Sequence, residues 1–111
     1  MRNPWVTRIH LNGGVEPSDI RLIDLSLSGL FRRLDAWPLA VVEMWLRVKD
    51  RDESGMKTTL EVSVPGLPRL VASCREESLA PALNRISDVL VRRLNEAAAQ
   101  RFDHGRETIR S

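Results

Sequence analysis

The spacing of apolar residues changes repeatedly along this chain, and each change predicts an element. From Trp5 to Leu11, apolar side chains interleave with Thr7, Arg8 and His10, and the run stops at Asn12-Gly13-Gly14. This predicts a short strand closed by a turn. Pro17 and Ser18 then lead into Asp19, a helix start with a capping hydroxyl and an acid in the positive first turn. Ile20, Ile23, Leu27, Leu30, Phe31 and Leu34 follow at three- and four-residue spacing, which marks an amphipathic helix. It should end near Ala36-Trp37, because Pro38 cannot continue a helix and keeps Trp37 from helical angles.

From Leu39 to Lys49 the period falls to two. Val42, Met44, Leu46 and Val48 share one face, and Glu43, Trp45, Arg47 and Lys49 the other, as in a half-buried strand. A polar loop from Asp50 to Gly55 separates it from a second alternating run, in which Thr58, Leu60, Val62 and Val64 face one way. The two runs should pair antiparallel. Pro65-Gly66-Leu67-Pro68 makes the next tight connection, since proline presets the turn and glycine supplies a positive φ, and Arg69 to Cys74 is the fourth strand. Ser78 should cap a last helix, with Pro81 in its first turn, where a missing N–H is tolerated. Its buried stripe is Leu79, Ala82, Leu83, Ile86, Val89, Leu90, Leu94 and Ala97, and it should run to about Arg101.

The order is therefore β-α-β-β-β-α, an α+β domain. A strand–helix–strand start joins parallel neighbours, whereas the three-strand meander is antiparallel, so the four-stranded sheet is mixed. With one apolar stripe per helix and one apolar face per strand, both helices should pack on one face of the sheet and leave the other open. Residues 1–101 are expected to form a single domain, and residues 102–111, which have no period and little apolar content, a flexible C-terminal tail.

Composition narrows the classes. With 111 residues, 42% of them hydrophobic and 29% charged, the chain is expected to be globular rather than collagen-like, disordered or a disulfide scaffold. No apolar run approaches the roughly 20 residues of a membrane span, and the opening MRNPWVTRIH lacks a following apolar region; the expected location is cytoplasmic. Cys74 is the only cysteine, which leaves no partner for an internal disulfide or a C-x-x-C pair. Net charge is only +2, but Lys49 and Lys57 are the only lysines among 17 basic residues. The rest are arginine, the better clamp for planar carboxylates and phosphates, although a GC-rich genome would enrich arginine as well.

Several stretches resemble the short form of the ribosome hibernation promoting factors, also called ribosome-associated translation inhibitors. Ile9 to Glu16 looks like that family's first strand and its turn into the helix. Leu27, Phe31, Arg33 and Leu34 fall where its first helix carries apolar residues and a basic position, and Val71 to Cys74 looks like its fourth strand. Ala82 to Leu94, ALNRISDVLVRRL, resembles its final helix in register. The resemblance covers about residues 5–101. It implies a protein without an active site that binds the small ribosomal subunit and represses translation in stress or stationary phase, with helix cations on ribosomal RNA phosphates. The residues carried over are Arg33, Arg92 and Arg93. Where the family's final helix is rich in lysine, this chain has Val89, Glu96, Ala97, Ala98 and Ala99, which predicts weaker ribosome binding.

The spacing alone leaves alternatives open. Arg85, Asp88 and Arg92 share one exposed helical face with Arg93 beside them, which adds Arg85 to Arg33, Arg92 and Arg93 as an expected RNA contact, although on spacing alone a solvated face with an Asp88–Arg92 pair is the better account. Arg32 and Arg33 suit the negative pole of the first helix, with RNA contact the lesser reading. Trp45, on the polar face of its strand with Arg47, has a ring that a base could stack on, but single-strand readers usually carry several aromatics and only 5% of this chain is aromatic. It points rather to a protein partner or a second copy on the open sheet face, the alternative to ribosome binding. His10 is expected to be a satisfied structural residue and Cys74 a small buried one. Asp50, Asp52 and Glu53 are loop carboxylates without fixed separation, and Asn12-Gly13-Gly14 lacks the spacing of a dinucleotide or P-loop. No enzyme activity, cofactor, metal or small-molecule substrate is expected.

Overall fold

The runs of period two supply the strands and those of period 3.6 the helices. The computed structural model describes residues 3–51 and 53–110, with residues 101–110 described by their backbone alone. The elements are β1 (Ile9–Gly13), α1 (Ile20–Ser26), α2 (Ser28–Leu34), β2 (Glu43–Lys49), β3 (Lys57–Ser63), β4 (Leu70–Arg75) and α3 (Leu79–Arg110). The sheet order is β1-β2-β3-β4, with β1 parallel to β2 and the remaining pairs antiparallel. This is the expected mixed sheet of an α+β fold. Met44, Leu46 and Val48 of β2, Leu60 and Val62 of β3, and Ala72 and Cys74 of β4 all point inward. On that one face they meet Ile23, Leu27, Leu30, Phe31 and Leu34 of the first helical run and Leu83, Ile86, Leu90 and Leu94 of α3, all buried in one core. Trp5 is buried too, its indole N–H donating to the Asp35 carboxylate at 2.6 Å.

The differences from the sequence reading have local causes. Trp5 to Arg8 is not strand but part of a 3₁₀ turn, Pro4–Arg8. Asn3 takes the Trp5 N–H on its side chain and the Val6 N–H on its carbonyl, each at 3.0 Å, and Pro4 presets the turn, so extended structure begins only at Ile9. Leu39–Val41 is likewise a 3₁₀ turn. β1 starts its pairing at Met44, and the Arg8 guanidinium already occupies the carbonyls of Ala40 and Val42. The first helix is interrupted at Leu27, whose φ and ψ are −98° and 10°. Ser26, Ser28 and Gly29, all poor helix formers, surround the break, while the Leu27-to-Ile23 and Phe31-to-Leu27 hydrogen bonds carry across it. The last helix continues to Arg110 rather than ending near Arg101, because extending a formed helix adds one hydrogen bond per residue fixed.

Two contacts fix the turn between β1 and α1. Gly13 has φ 68°, and a Cβ there would stand 2.5 Å from the Val48 carbonyl oxygen, so only glycine fits. Arg51, from the loop after β2, donates to both oxygens of the buried Asp19 carboxylate, at 2.5 and 2.9 Å, and to the Gly14 carbonyl at 2.8 Å. Asp19 also accepts the Glu16 N–H. The bond from Arg51 holds the Asp19 carboxyl below the ordinary carboxylate range, against the upward push of burial.

A carboxylate with a lowered pKa stabilises the fold fully above its unfolded value, about 3.9, and loses that contribution as pH falls through the lower folded value. Asp19→Asn should therefore melt well below the wild type at neutral pH, and the gap in melting temperature should narrow as pH falls below about 4. Melts across that range check this; a gap independent of pH would contradict it.

Candidate nucleic-acid interface

The candidate contact residues fall on two surfaces. On the helix surface, Arg32 and Arg33 occupy the last turn of α2, where the helix dipole favours positive charge. Arg33 is half-buried: its Nε donates to the Asn95 side chain of α3, and its guanidinium lies 5.8 Å from the Trp37 ring centroid. Arg85 pairs with Glu76 at 3.2 Å across exposed surface, a bond of little net value in water. Arg92 and Arg32 are exposed and have no hydrogen-bond or ion-pair partner among the described residues. The Asp88–Arg92 pair allowed by the spacing is not formed.

Arg93 is placed differently from its neighbour. It too is exposed, yet its guanidinium donates to the Val71 carbonyl of β4, whose outer side faces no further strand. Two arginines adjacent in sequence thus differ: Arg92 is exposed on α3 with no partner among the described residues, and Arg93 is tied to the sheet edge. The four arginines expected to touch RNA do not converge on one point. Arg33, on α2, bonds Asn95 of α3, whereas Arg85 and Arg93 of α3 bond Glu76 and Val71 at the β4 side.

The second surface is the open sheet face. Trp45 is half-buried, with the His10 ring stacked on it at 5.6 Å between centroids and 18° between planes and the Arg69 guanidinium 4.5 Å from its centroid. Arg69 also pairs with Glu61 at 3.4 Å. His10 is exposed on the sheet face, 3.7 Å from Glu43. An open groove of about 230 Å³ crosses this face, lined by Trp45, Arg47, Lys49, Lys57 and Arg69, with Asn12, Thr59 and Glu61. The sequence showed which residues share this face but not that Lys49 and Lys57 stand directly opposite each other, since register depends on the loop between them.

Cys74 is buried and free, and His10 faces solvent. Asp52 and the side chain of His104 lie outside the described residues. Among the described residues no group of three His, Cys, Asp or Glu side chains could hold a metal, and no helix is long and apolar enough to cross a membrane.

No protein-family model and no curated protein sequence matches this chain. Its class is defined by its backbone, an α+β sheet-and-helix domain that solved structures share. The N-terminal domain of Thermus thermophilus Protein Y superposes with a TM-score of 0.60 over 78% of this chain and 92% of that one, at 16% identity. A ribosomal subunit interface protein from Coxiella burnetii superposes with a TM-score of 0.56 over 82% and 97%, at 15% identity. At such identities the likeness is one of fold, and at that level it bears out the resemblance to the hibernation promoting factors.

The separation of Arg92 from Arg93 can be measured without any ligand. Arg92→Ala should leave stability within about 0.5 kcal/mol of wild type, whereas Arg93→Ala should cost about 1 kcal/mol by freeing an edge carbonyl. Urea unfolding of the two variants checks this; equal effects would place both side chains in the same environment.

Proposed function

We propose that this chain is a ribosome-associated, RNA-directed binding protein that docks on the small ribosomal subunit and represses translation in stress or stationary phase. The observation that carries the reading is the fold match to a ribosomal subunit interface protein over 97% of that chain. The helix surface agrees with it. Arg32 and Arg92 are exposed cations with no partner among the described residues, available to phosphate oxygens without breaking an existing bond. Arg85 has only an exposed ion pair to exchange, and an exposed pair adds little to stability. Binding involves no chemical step and needs no cofactor.

The alternative, a protein partner or second copy on the open sheet face, draws less support. The core of a protein interface is depleted in charge and rich in apolar and aromatic groups, but this groove has four cations and one aromatic ring.

Reversal of the two free arginines tests the proposal. Arg32→Glu with Arg92→Glu should change stability by no more than about 1 kcal/mol. Affinity for ribosomes in low salt should fall by about a hundredfold, from the loss of charge-assisted contacts and the gain of repulsion. Unchanged co-sedimentation of a folded double variant would remove the helix surface from the reading.

A further inference from the structure

We infer that the open sheet face is a second nucleic-acid surface, a groove that holds a single RNA strand with one base stacked at Trp45 and the following phosphates on Arg47, Lys49 and Lys57. The inference is read from the opposite side of the sheet to the helix surface and does not depend on ribosome docking.

The charge pattern is the first argument. Lys49 and Lys57, the only lysines in the chain, are cross-strand partners, and Lys57 is in turn opposite Arg75. Three cations thus form one row across β2, β3 and β4. Like charges placed directly opposite destabilise a sheet, so the row costs the free protein stability that an anion would return. Arg47 lies two residues from Lys49 along the same face. The groove lining holds a single carboxylate, Glu61, already paired with Arg69. Among the described residues the other acids near this face include Glu43, beside His10, and Asp50 and Glu53, in the loop that joins Lys49 to Lys57.

The ring is the second argument. Acidic peptides would satisfy the cations but have no use for Trp45, whereas every base has a π face, and stacking on aromatic side chains is how single strands are commonly held. Arg69 now covers the Trp45 ring, but both Arg69 and its ion pair are exposed or partly exposed. A base can take its place while the guanidinium moves to a phosphate. Shape agrees with a strand rather than a small ligand: 230 Å³ in an open groove is below the roughly 300–1,000 Å³ of small-molecule pockets. From Trp45 to Lys49 the strand covers about 13 Å, longer than a single nucleotide and so suited to a short stretch of strand.

The test uses the full chain and a fluorescent decauridylate, with a duplex of equal length and polyglutamate as competitors. The expected result is saturable binding of the single strand, with quenching of tryptophan fluorescence that Trp45→Ala abolishes. Lys49→Glu with Lys57→Glu should weaken binding by at least thirtyfold and Trp45→Ala by at least fivefold. Arg21→Glu, exposed on α1 and on neither surface, should leave it unchanged. Circular dichroism monitors folding, and Lys49→Gln with Lys57→Gln gives a second reading in which no new charge is introduced. Wild-type affinity in the folded lysine variants would overturn the inference. Equal competition by polyglutamate would overturn it in favour of an acidic protein, and equal binding of the duplex would remove the role of Trp45. Loss of ribosome docking by the helix-surface variant leaves all these outcomes unaffected, so the two readings fail separately.

Discussion

One-sided burial is the constraint from which the rest follows. The inward positions of β2, β3 and β4 carry Met44, Leu46, Val48, Leu60, Val62, Ala72 and Cys74, and all are covered by the helices. A strand alternates its side chains between two faces, so covering one face leaves the residues between these on the other. That is why Trp45, Arg47, Lys49, Lys57, Thr59 and Glu61 face outward together, although they come from two strands. The same constraint turns the polar side of α3 to solvent, where Arg92 stands. Both candidate surfaces are thus consequences of how the core is filled, and the Asp19–Arg51 bond holds the turn that lets β1 and α1 join it.

What the sequence revealed and what it concealed divide by distance along the chain. Element order and the core were legible because period two and period 3.6 are local patterns, and residues such as Phe31, Leu46 and Leu90 fall on them without ambiguity. Local hydrogen bonding already blurs the reading: nothing in the alternation at Trp5 to Arg8 shows that Asn3 would cap a 3₁₀ turn. Contacts between distant residues were not legible. Arg51 reaches Asp19 across 32 positions, Arg33 reaches Asn95 across 62, and Arg93 reaches Val71 across 22. The candidate arginines could be picked out by helical spacing, but which were free and which were spent on the protein itself depended on those long-range partners.

The distribution of lysine and arginine gives the two surfaces different chemistry. The final helix has none of the lysines of the family it resembles and offers arginine instead, whose flat guanidinium forms directed bonds to phosphate or, as with Arg93, to a carbonyl. The two lysines are concentrated on the sheet, where a flexible stem and a point charge suit a mobile single strand. A domain with an arginine-bearing helix surface on one side and a cationic groove on the other could meet RNA at two places at once.

The central claim is that this chain binds ribosomes through phosphate contacts made by a small number of cations, and the salt dependence of ribosome affinity tests it most directly. Each phosphate neutralised on a duplex-like backbone contributes about −0.9 to the slope of log affinity against log salt. With Arg32, Arg85 and Arg92 engaged, the account predicts a slope of about −3, steeper if the sheet face takes part. A slope near zero would mean that binding does not rest on phosphates, and would contradict the account.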